Sequence, residues 1–248
     1  MTRVLALLGL LLTLPALAAP QTQRFYGYAY DLETDRHLYT EVHEQKMDGE
    51  RWIGGSIGYY LPDGRRLGYK TLDFSKDAFV PVFRLDLELE GYMEGITDNG
   101  DPIVLERREG KTAKVERKSL KRDGPTAADS GFHAILYANF ERLMKGEAVS
   151  LRLAVAGSLD QFRFRGRRIA DATFENRAAV RFVVEPDSLL RFMVDPLELT
   201  YDPKTRQLLE YRGISNIRDP ASGKPWMTRI AYYSEVPKNI GKLPPLEP

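Results

Sequence analysis

The sequence predicts a mainly β protein, in which a curved antiparallel sheet or half-barrel carries one amphipathic helix packed on its concave face. Two observations indicate this fold. Apolar and polar residues alternate with a period of two along most of the chain, as in residues 83–90, and turn-forming residues separate the alternating runs. A single run, from Phe132 to Met144, has the helical period instead. A sheet with one apolar and one polar face favours antiparallel pairing.

The first residues are typical of a secretory signal peptide. Arg3 precedes an apolar run over residues 4–14, Pro15 ends this run, and Ala16-Leu17-Ala18 has the small-x-small pattern of a cleavage site. The run is shorter than the roughly 20 apolar residues that a membrane-spanning helix needs. We therefore expect cleavage after residue 18 and a soluble periplasmic or secreted protein without a transmembrane segment.

The remaining chain is short enough for one domain. We expect a single antiparallel β domain over residues 19–236, followed by an extended Pro-rich tail over residues 237–248.

Composition excludes several classes of function. The chain has no cysteine, which excludes disulfides, thiolate metal sites, cysteine catalysis and a lipid-modified cysteine. Of the 36 Lys and Arg residues only Arg3 lies in the leader, so the mature chain has as many basic as acidic residues. A balanced charge gives no long-range attraction to nucleic acid, and we expect no nucleic-acid partner.

Turn signals such as Asp63-Gly64 and Asn99-Gly100 divide the chain into hairpins. The expected strands are 24–32, 37–47, 51–61, 65–74, 81–96, 102–109, 112–120, 148–156, 160–168, 172–185, 197–202, 206–214 and 225–234. The helix is expected over residues 130–145, with its apolar stripe facing the sheet.

No group of residues makes a convincing catalytic site, and none is expected. Residues 54–58 match G-x-S-x-G, but Ser56 lies within a predicted strand, whereas the hydrolase motif needs a strand-to-helix elbow. A serine hydrolase using Ser56 is the least favoured alternative. His37, His43 and His133 lack metal-ligand spacing, so neither a metal nor a cofactor is expected. The carboxylates Asp86, Glu88, Glu90 and Glu94 are interpreted as a solvated face of a strand.

A basic row offers a candidate anion site. Arg163, Arg165 and Arg167 alternate with phenylalanines and would share one face of a strand. The planar guanidinium group of arginine can donate two hydrogen bonds to one phosphate group, such as that of a lipid headgroup. The alternative, which we favour, is a solvent face balanced by acidic residues of a neighbouring strand.

Residues 196–213, which follow a helix and then further strands, resemble uncharacterised exported envelope proteins of Gram-negative bacteria. In plan the chain is similar to half-barrel envelope proteins, which include the periplasmic lipoprotein carriers. The resemblance implies an antiparallel sheet curled around an apolar cavity. It differs from the carriers in lacking their N-terminal helix, and it implies no catalytic residue.

These observations lead to a first hypothesis, a periplasmic protein that binds an apolar or lipid-like ligand within its curved sheet. The expected cavity residues are Phe83, Leu85, Leu87, Leu89, Phe132, Leu136 and Phe140. The alternative is an envelope protein-interaction or assembly module without an internal ligand. Such a module would act through residues 163–168 or through Tyr26, Tyr28 and Tyr30 of the first strand.

Overall fold

The computed structural model describes residues 20–187 and 195–246, so the expected leader lies outside the described residues. The described chain forms fifteen strands in one sheet. The first eight are β1 Gln21–Asp31, β2 His37–Asp48, β3 Arg51–Tyr60, β4 Arg66–Asp73, β5 Val82–Leu87, β6 Tyr92–Asp98, β7 Ile103–Arg108 and β8 Glu116–Leu120. The others are β9 Thr126–Ala128, β10 Val149–Val155, β11 Asp160–Phe174, β12 Arg177–Pro186, β13 Leu197–Tyr201, β14 Leu208–Arg218 and β15 Pro225–Ala231.

The sheet is an open, almost wholly antiparallel meander in two arms: β1–β8 form the first arm and β9–β15 the second. Its order is β8-β7-β6-β5-β4-β3-β2-β1-β15-β14-β13-β12-β11-β10-β9, so the first and last strands pair in the middle. The pairing of β9 with β10 is parallel, because the chain between them crosses over through two helices. The predicted mainly β fold, with one large open antiparallel sheet, is confirmed.

One face of this sheet carries the core of both arms. Phe182 of β12 and Tyr39 of β2 belong to a single cross-strand row, which continues through Leu199, Tyr211, Ile230 and Ala29. Cross-strand partners point to the same face. Phe182 packs in the cluster around the helices and Tyr39 in the cluster of the first arm, so the helices lie on the enclosed side of the sheet.

The helical segment is two helices, α1 Gly131–Ala138 and α2 Phe140–Met144. Asn139 separates them, with φ −107° and ψ 16°. Its side-chain amide donates to the carbonyl oxygen of Ile135 at 2.9 Å, a local bond that competes with regular helix geometry. The predicted apolar stripe does face the sheet, since Ile135, Leu136, Phe140 and Leu143 are buried.

The expected strand 81–96 is wrong, because a turn at residues 88–91 divides it into β5 and β6. Gly91, with φ +71°, provides the left-handed backbone conformation of this turn. The turn also reverses the phase of the alternation. Leu89 therefore does not face inward as expected but is 40% exposed in the turn. Glu94, expected on the solvated face, points inward and is buried.

The C-terminal segment after β15 has no strand or helix in the described residues. It runs back along the first strands, where the amide of Lys242 donates to the carbonyl oxygen of Pro62. Further along, the Tyr26 hydroxyl donates to the carbonyl oxygen of Pro244 at 2.5 Å. The tail therefore contacts β1 and the turn after β3.

Candidate functional site

Strand β8, one free end of the sheet, approaches the β10–β11 hairpin near the other free end, β9, along a line that we call the seam. On one side is β8; on the other are β10, β11 and the 3₁₀ turn Ala156–Ser158 between them. Among the described residues no backbone ladder joins β8 to β9, β10 or β11. Lys118 Nζ lies 3.2 Å from Asp160 Oδ1, and the Gln161 amide donates to the carbonyl oxygen of Lys121 at 3.4 Å. Here the seam is therefore held by side chains, whereas further along the Ala128 amide of β9 donates to the carbonyl oxygen of Phe79, before β5, at 2.9 Å.

The 3₁₀ turn rests directly on the first arm. The Arg107 guanidinium of β7 donates to the carbonyl oxygen of Gly157 at 2.9 Å. A methyl group at Gly157 would come within 2.8 Å of the Tyr92 hydroxyl and would also collide with Glu94. Only glycine permits this close approach. The turn covers two polar side chains that point into the interior.

Apolar side chains lie behind the seam. Ile103 and Leu105 of β7 and Leu120 of β8 are buried in the same cluster as Ala154, Ala156 and Leu159 from the opposite side. Separation of the two sides would expose this apolar surface to water, at a cost of about 25 cal/mol for each Å². The hydrophobic contact contributes to closure, since no backbone ladder crosses the seam in the described residues.

A buried polar network lies deeper in the interior. Lys70 Nζ of β4 contacts Asp129 Oδ2 at 2.6 Å, and both side chains are nearly inaccessible. The Asn216 amide of β14 donates to Asp129 and to Glu94, at 3.2 Å each. The Tyr92 hydroxyl donates to Glu94 at 2.6 Å. The network joins both arms of the sheet to the segment that enters α1.

The two carboxyl groups of this network have opposite pKa shifts. Burial raises the pKa of Glu94, and the hydrogen bond from Tyr92 and the charge of Lys70 only partly oppose this. Burial also acts to raise the pKa of Asp129, but the charge and hydrogen bond of Lys70 and the bonds from Ser130 outweigh it and lower the pKa. Asp129 therefore carries the negative charge that Lys70 neutralises.

The sequence interpretation missed this network. Lys70 has a recognisable signal, because it takes an inward position between Gly68 and Leu72 of β4. A charged residue at an apolar phase of the alternation indicates a buried partner. Glu94 gave no such signal, since the turn at residues 88–91 had to be known first.

The predicted cavity residues are divided between two packed clusters. Phe83, Leu85 and Leu87 lie in the first arm, whereas Leu136 and Phe140 lie against β10–β13, with Phe132 half-buried at the edge of that cluster. Leu85 and Leu136 have no accessible surface, so no water-sized space adjoins them. These residues do not line one open cavity in this conformation, and their role in ligand binding stays a prediction.

The basic row faces an acidic partner. Arg165 and Arg167 both contact Glu185 Oε1 of the neighbouring strand, at 2.7 and 3.1 Å. The pKa of Glu185 is lowered mainly by the hydrogen bond from Arg167. Arg163 is exposed on the same strand. The pairing fits the balanced-face interpretation better than an anion site, although anion binding itself stays untested.

The remaining candidates lie in separate places. Ser56 is within β3 with no following helix, which does not provide a nucleophile elbow. His43 Nε2 contacts Glu41 at 2.7 Å, and His133 Nδ1 contacts the Tyr201 hydroxyl at 2.8 Å. His37 Nε2 contacts the Thr40 hydroxyl at 3.1 Å. In residues 20–187 and 195–246 no three His, Asp or Glu side chains are grouped to hold a metal ion.

Comparisons with known proteins find similarity among solved structures. No protein-family model matches the chain, and no curated protein matches it. Among solved structures, it is similar to the crystal structure of a β-barrel-like protein of domain of unknown function DUF1849 from Brucella abortus, with a TM-score of 0.42 and 8% identity. That match covers 87% of this chain and 97% of the other. None of these comparisons links the chain to the periplasmic lipoprotein carriers.

Within the described part of the chain, no helix has the length and the apolar character needed to cross a membrane.

Proposed function

We propose that this protein is an exported binding protein that takes up an apolar or lipid-like ligand through the seam, without catalysing a reaction. The single observation that carries the proposal is the construction of the seam. Side-chain contacts and the backbone bond from the Ala128 amide of β9 to the carbonyl oxygen of Phe79, but no backbone ladder, hold together two sheet ends that conceal an apolar interior. Opening there breaks no backbone ladder, whereas opening anywhere else in the sheet would.

The packing of the interior determines how such a ligand would bind. Because Leu105, Ala156 and their neighbours already fill the space behind the seam, a ligand must displace the 3₁₀ turn Ala156–Ser158 from the first arm. Burial of an acyl chain contributes about 0.8 kcal/mol for each CH₂ group. A chain of about ten carbons therefore contributes roughly 8 kcal/mol, which is large compared with an exposed ion pair such as Lys118–Asp160.

The decisive experiment bridges the seam chemically. The native chain has no cysteine, so Lys118→Cys/Asp160→Cys can be joined with a cleavable bis-maleimide. Binding of the fluorescent fatty acid cis-parinaric acid is then measured. We expect at least tenfold weaker binding in the bridged protein and recovery after cleavage of the linker. Undiminished binding across the bridge would refute entry at the seam.

The chain offers a matched control for this bridge. Arg66 and Glu88 form an ion pair at 2.6 Å with exposure similar to that of Lys118 and Asp160, but they join β4 to the end of its ladder partner β5. Bridging Arg66→Cys/Glu88→Cys should leave binding unchanged.

Location and natural cargo need separate measurements. Fractionation of cells that produce the full chain should place the mature protein in the periplasm, with its N-terminus at residue 19. Protein purified from that compartment should yield a lipid-like molecule on organic extraction, at near-stoichiometric amount by native mass spectrometry. Cytoplasmic recovery of the uncleaved chain, or protein free of any extractable molecule, would contradict the proposal.

A further inference from the structure

One edge of β1 extends beyond its partner. β2 pairs with β1 from Gln21 to Tyr30, but β15 pairs with it only from Tyr28 to Asp31. After Ala231 the chain turns away: the Tyr232 amide bonds to the carbonyl oxygen of Leu209, and the Ser234 amide to Glu175. Within the described residues, no strand pairs with the second edge of residues 21–27.

The direction of the backbone groups follows from the neighbouring ladder. Just beyond the end of β1, the amide of Leu32 donates to the carbonyl oxygen of Met227 in β15, whereas the amide of Asp31 donates to that of Arg36, on the side of β2. Successive residues of a strand bond to opposite neighbours. The register shift near Ala29 places the extra residue, Leu38, in β2 and leaves the alternation of β1 intact. The N–H and C=O groups of Thr22, Arg24 and Tyr26 therefore point to the unpaired edge.

We propose that residues 21–27 form a docking edge for an extended segment of another protein, which adds to the sheet as a strand beside β1. Unpaired strand edges are templates for such addition, in which main-chain hydrogen bonds supply affinity and alternate side chains supply specificity. The first three of these residues and Arg24 are exposed, so the edge is accessible to a partner. This inference is independent of the ligand proposed for the seam.

The side chains beside the edge define the partner segment. On the inner face Phe25 lies 6.0 Å from the ring of Tyr232, which favours an apolar side chain at the adjacent position of the added strand. On the outer face Arg24 bonds through Nε to its cross-strand partner Glu44 at 3.2 Å, so the positive groups beside the edge are the terminal nitrogens of Arg24 and the ammonium group of Lys46, the cross-strand partner of Thr22. An acidic side chain next to Arg24 is therefore favoured. The partner segment has alternating apolar and polar residues with an acidic residue near its centre.

A second copy of the chain fits this edge poorly. Antiparallel pairing of residues 21–27 with the same seven residues of another copy would place the two Arg24 side chains opposite each other. Like charges in directly opposed positions destabilise a sheet.

Amide hydrogen exchange tests the edge directly. In the free protein the amides of Thr22, Arg24 and Tyr26 should exchange rapidly, and those of Gln23 and Phe25 slowly. The probe is a capped nine-residue peptide of alternating Val and Thr with a central Asp. It should slow exchange at the three even-numbered amides alone and bind at least tenfold more tightly than the same peptide with a central Lys.

A proline variant separates strand addition from other binding. Thr22→Pro removes an N–H that points to the open edge and leaves the ladder with β2 intact, so peptide affinity should fall at least tenfold, whereas Thr22→Ala should retain it. Equal affinity of both variants would overturn the proposal. So would slow exchange of the even-numbered amides in the free protein, no protection at millimolar peptide, or a dimer that Thr22→Pro dissociates.

Discussion

Lys70 and Asp129 form an ion pair at 2.6 Å in which the two side chains are only 5% and 6% exposed. Lys70 lies in the middle of β4, and Asp129 precedes α1 with φ +45°, a left-handed conformation that is uncommon outside glycine. The pair therefore attaches the backbone at the start of α1 to β4 in the first arm of the sheet. Because the pair is buried, removal of either side chain would leave the charge of the other buried without a partner.

Removal of Lys70 should be strongly destabilising. Lys70→Met leaves the carboxylate of Asp129 buried without its cation, and we expect a loss of about 3 to 5 kcal/mol in the free energy of unfolding. The double variant Lys70→Met/Asp129→Asn should recover much of that loss. Urea denaturation measures both. Arg66→Met, which breaks an exposed pair with Glu88, is the control and should cost less than about 1 kcal/mol. Equal effects of the two single variants would contradict this role.

Gly157→Ala should loosen the seam. The added methyl group would collide with Glu94 and with the Tyr92 hydroxyl, so the 3₁₀ turn must move away from β6. We expect about 1 to 3 kcal/mol of destabilisation, together with faster amide exchange at residues 156–160. Gly110→Ala is the control, because its nearest neighbour, the carbonyl oxygen of Glu90, is 3.9 Å away. Unchanged exchange in Gly157→Ala would show that the contact does not hold the turn.

His133 should make stability depend on pH. Burial lowers its folded-state pKa to about 4, below the usual 6.5, so the unfolded chain binds the proton more readily. The contribution is fully present above pH 6.5 and is lost as the pH falls towards 4. We expect a loss of about 2 kcal/mol between pH 7.5 and 4.5, because His133 is partly accessible to solvent.

The measurement compares urea denaturation of Tyr201→Phe and His133→Phe/Tyr201→Phe at these two pH values. The Tyr201→Phe background removes the hydroxyl that bonds to His133 and leaves the stacked arrangement of the two rings. The double variant should show a flatter pH dependence. An identical slope in both proteins would show that His133 does not contribute.

Leu136→Ala should test the packing of α1 on the sheet. Leu136 has no accessible surface and packs with Leu143 and Val149, so truncation should cost about 3 kcal/mol. Tyr137, which is 42% exposed on the same helix, provides the matched control, and Tyr137→Ala should cost less than about 0.5 kcal/mol. The comparison uses thermal or urea unfolding. Similar costs at both positions would place α1 away from the sheet.

Alternation predicted the strands well where a single phase persists, as in β10, where Val149 and Leu151 are buried and Ser150 is exposed. It failed at residues 81–96, because a short turn without proline changes the phase, and Glu94 was consequently placed on the wrong face. The end of β11 was also missed. The turn there uses Glu175 and Asn176, with φ +47° and +61°, instead of glycine.

The buried network could be predicted only in part. Lys70 and Asp129 are 59 residues apart, and Asn216 lies further still along the chain. No local sequence pattern predicts such contacts, because they depend on how the two arms of the sheet curl towards each other. The pairing of β1 with β15 is long-range in the same way.

That central pairing has a consequence for biogenesis. Of the fifteen strands, β1 is synthesised first and β15 last, so the central pairing of β1 with β15 forms only after the C-terminal part of the chain has been synthesised. Contacts so distant in sequence form slowly, since a long loop must first close. Until then each arm has an unpaired edge strand at the centre of the future sheet, β1 in the first arm and β14 in the second. Truncation before residue 225 leaves the two arms without the strand that unites them.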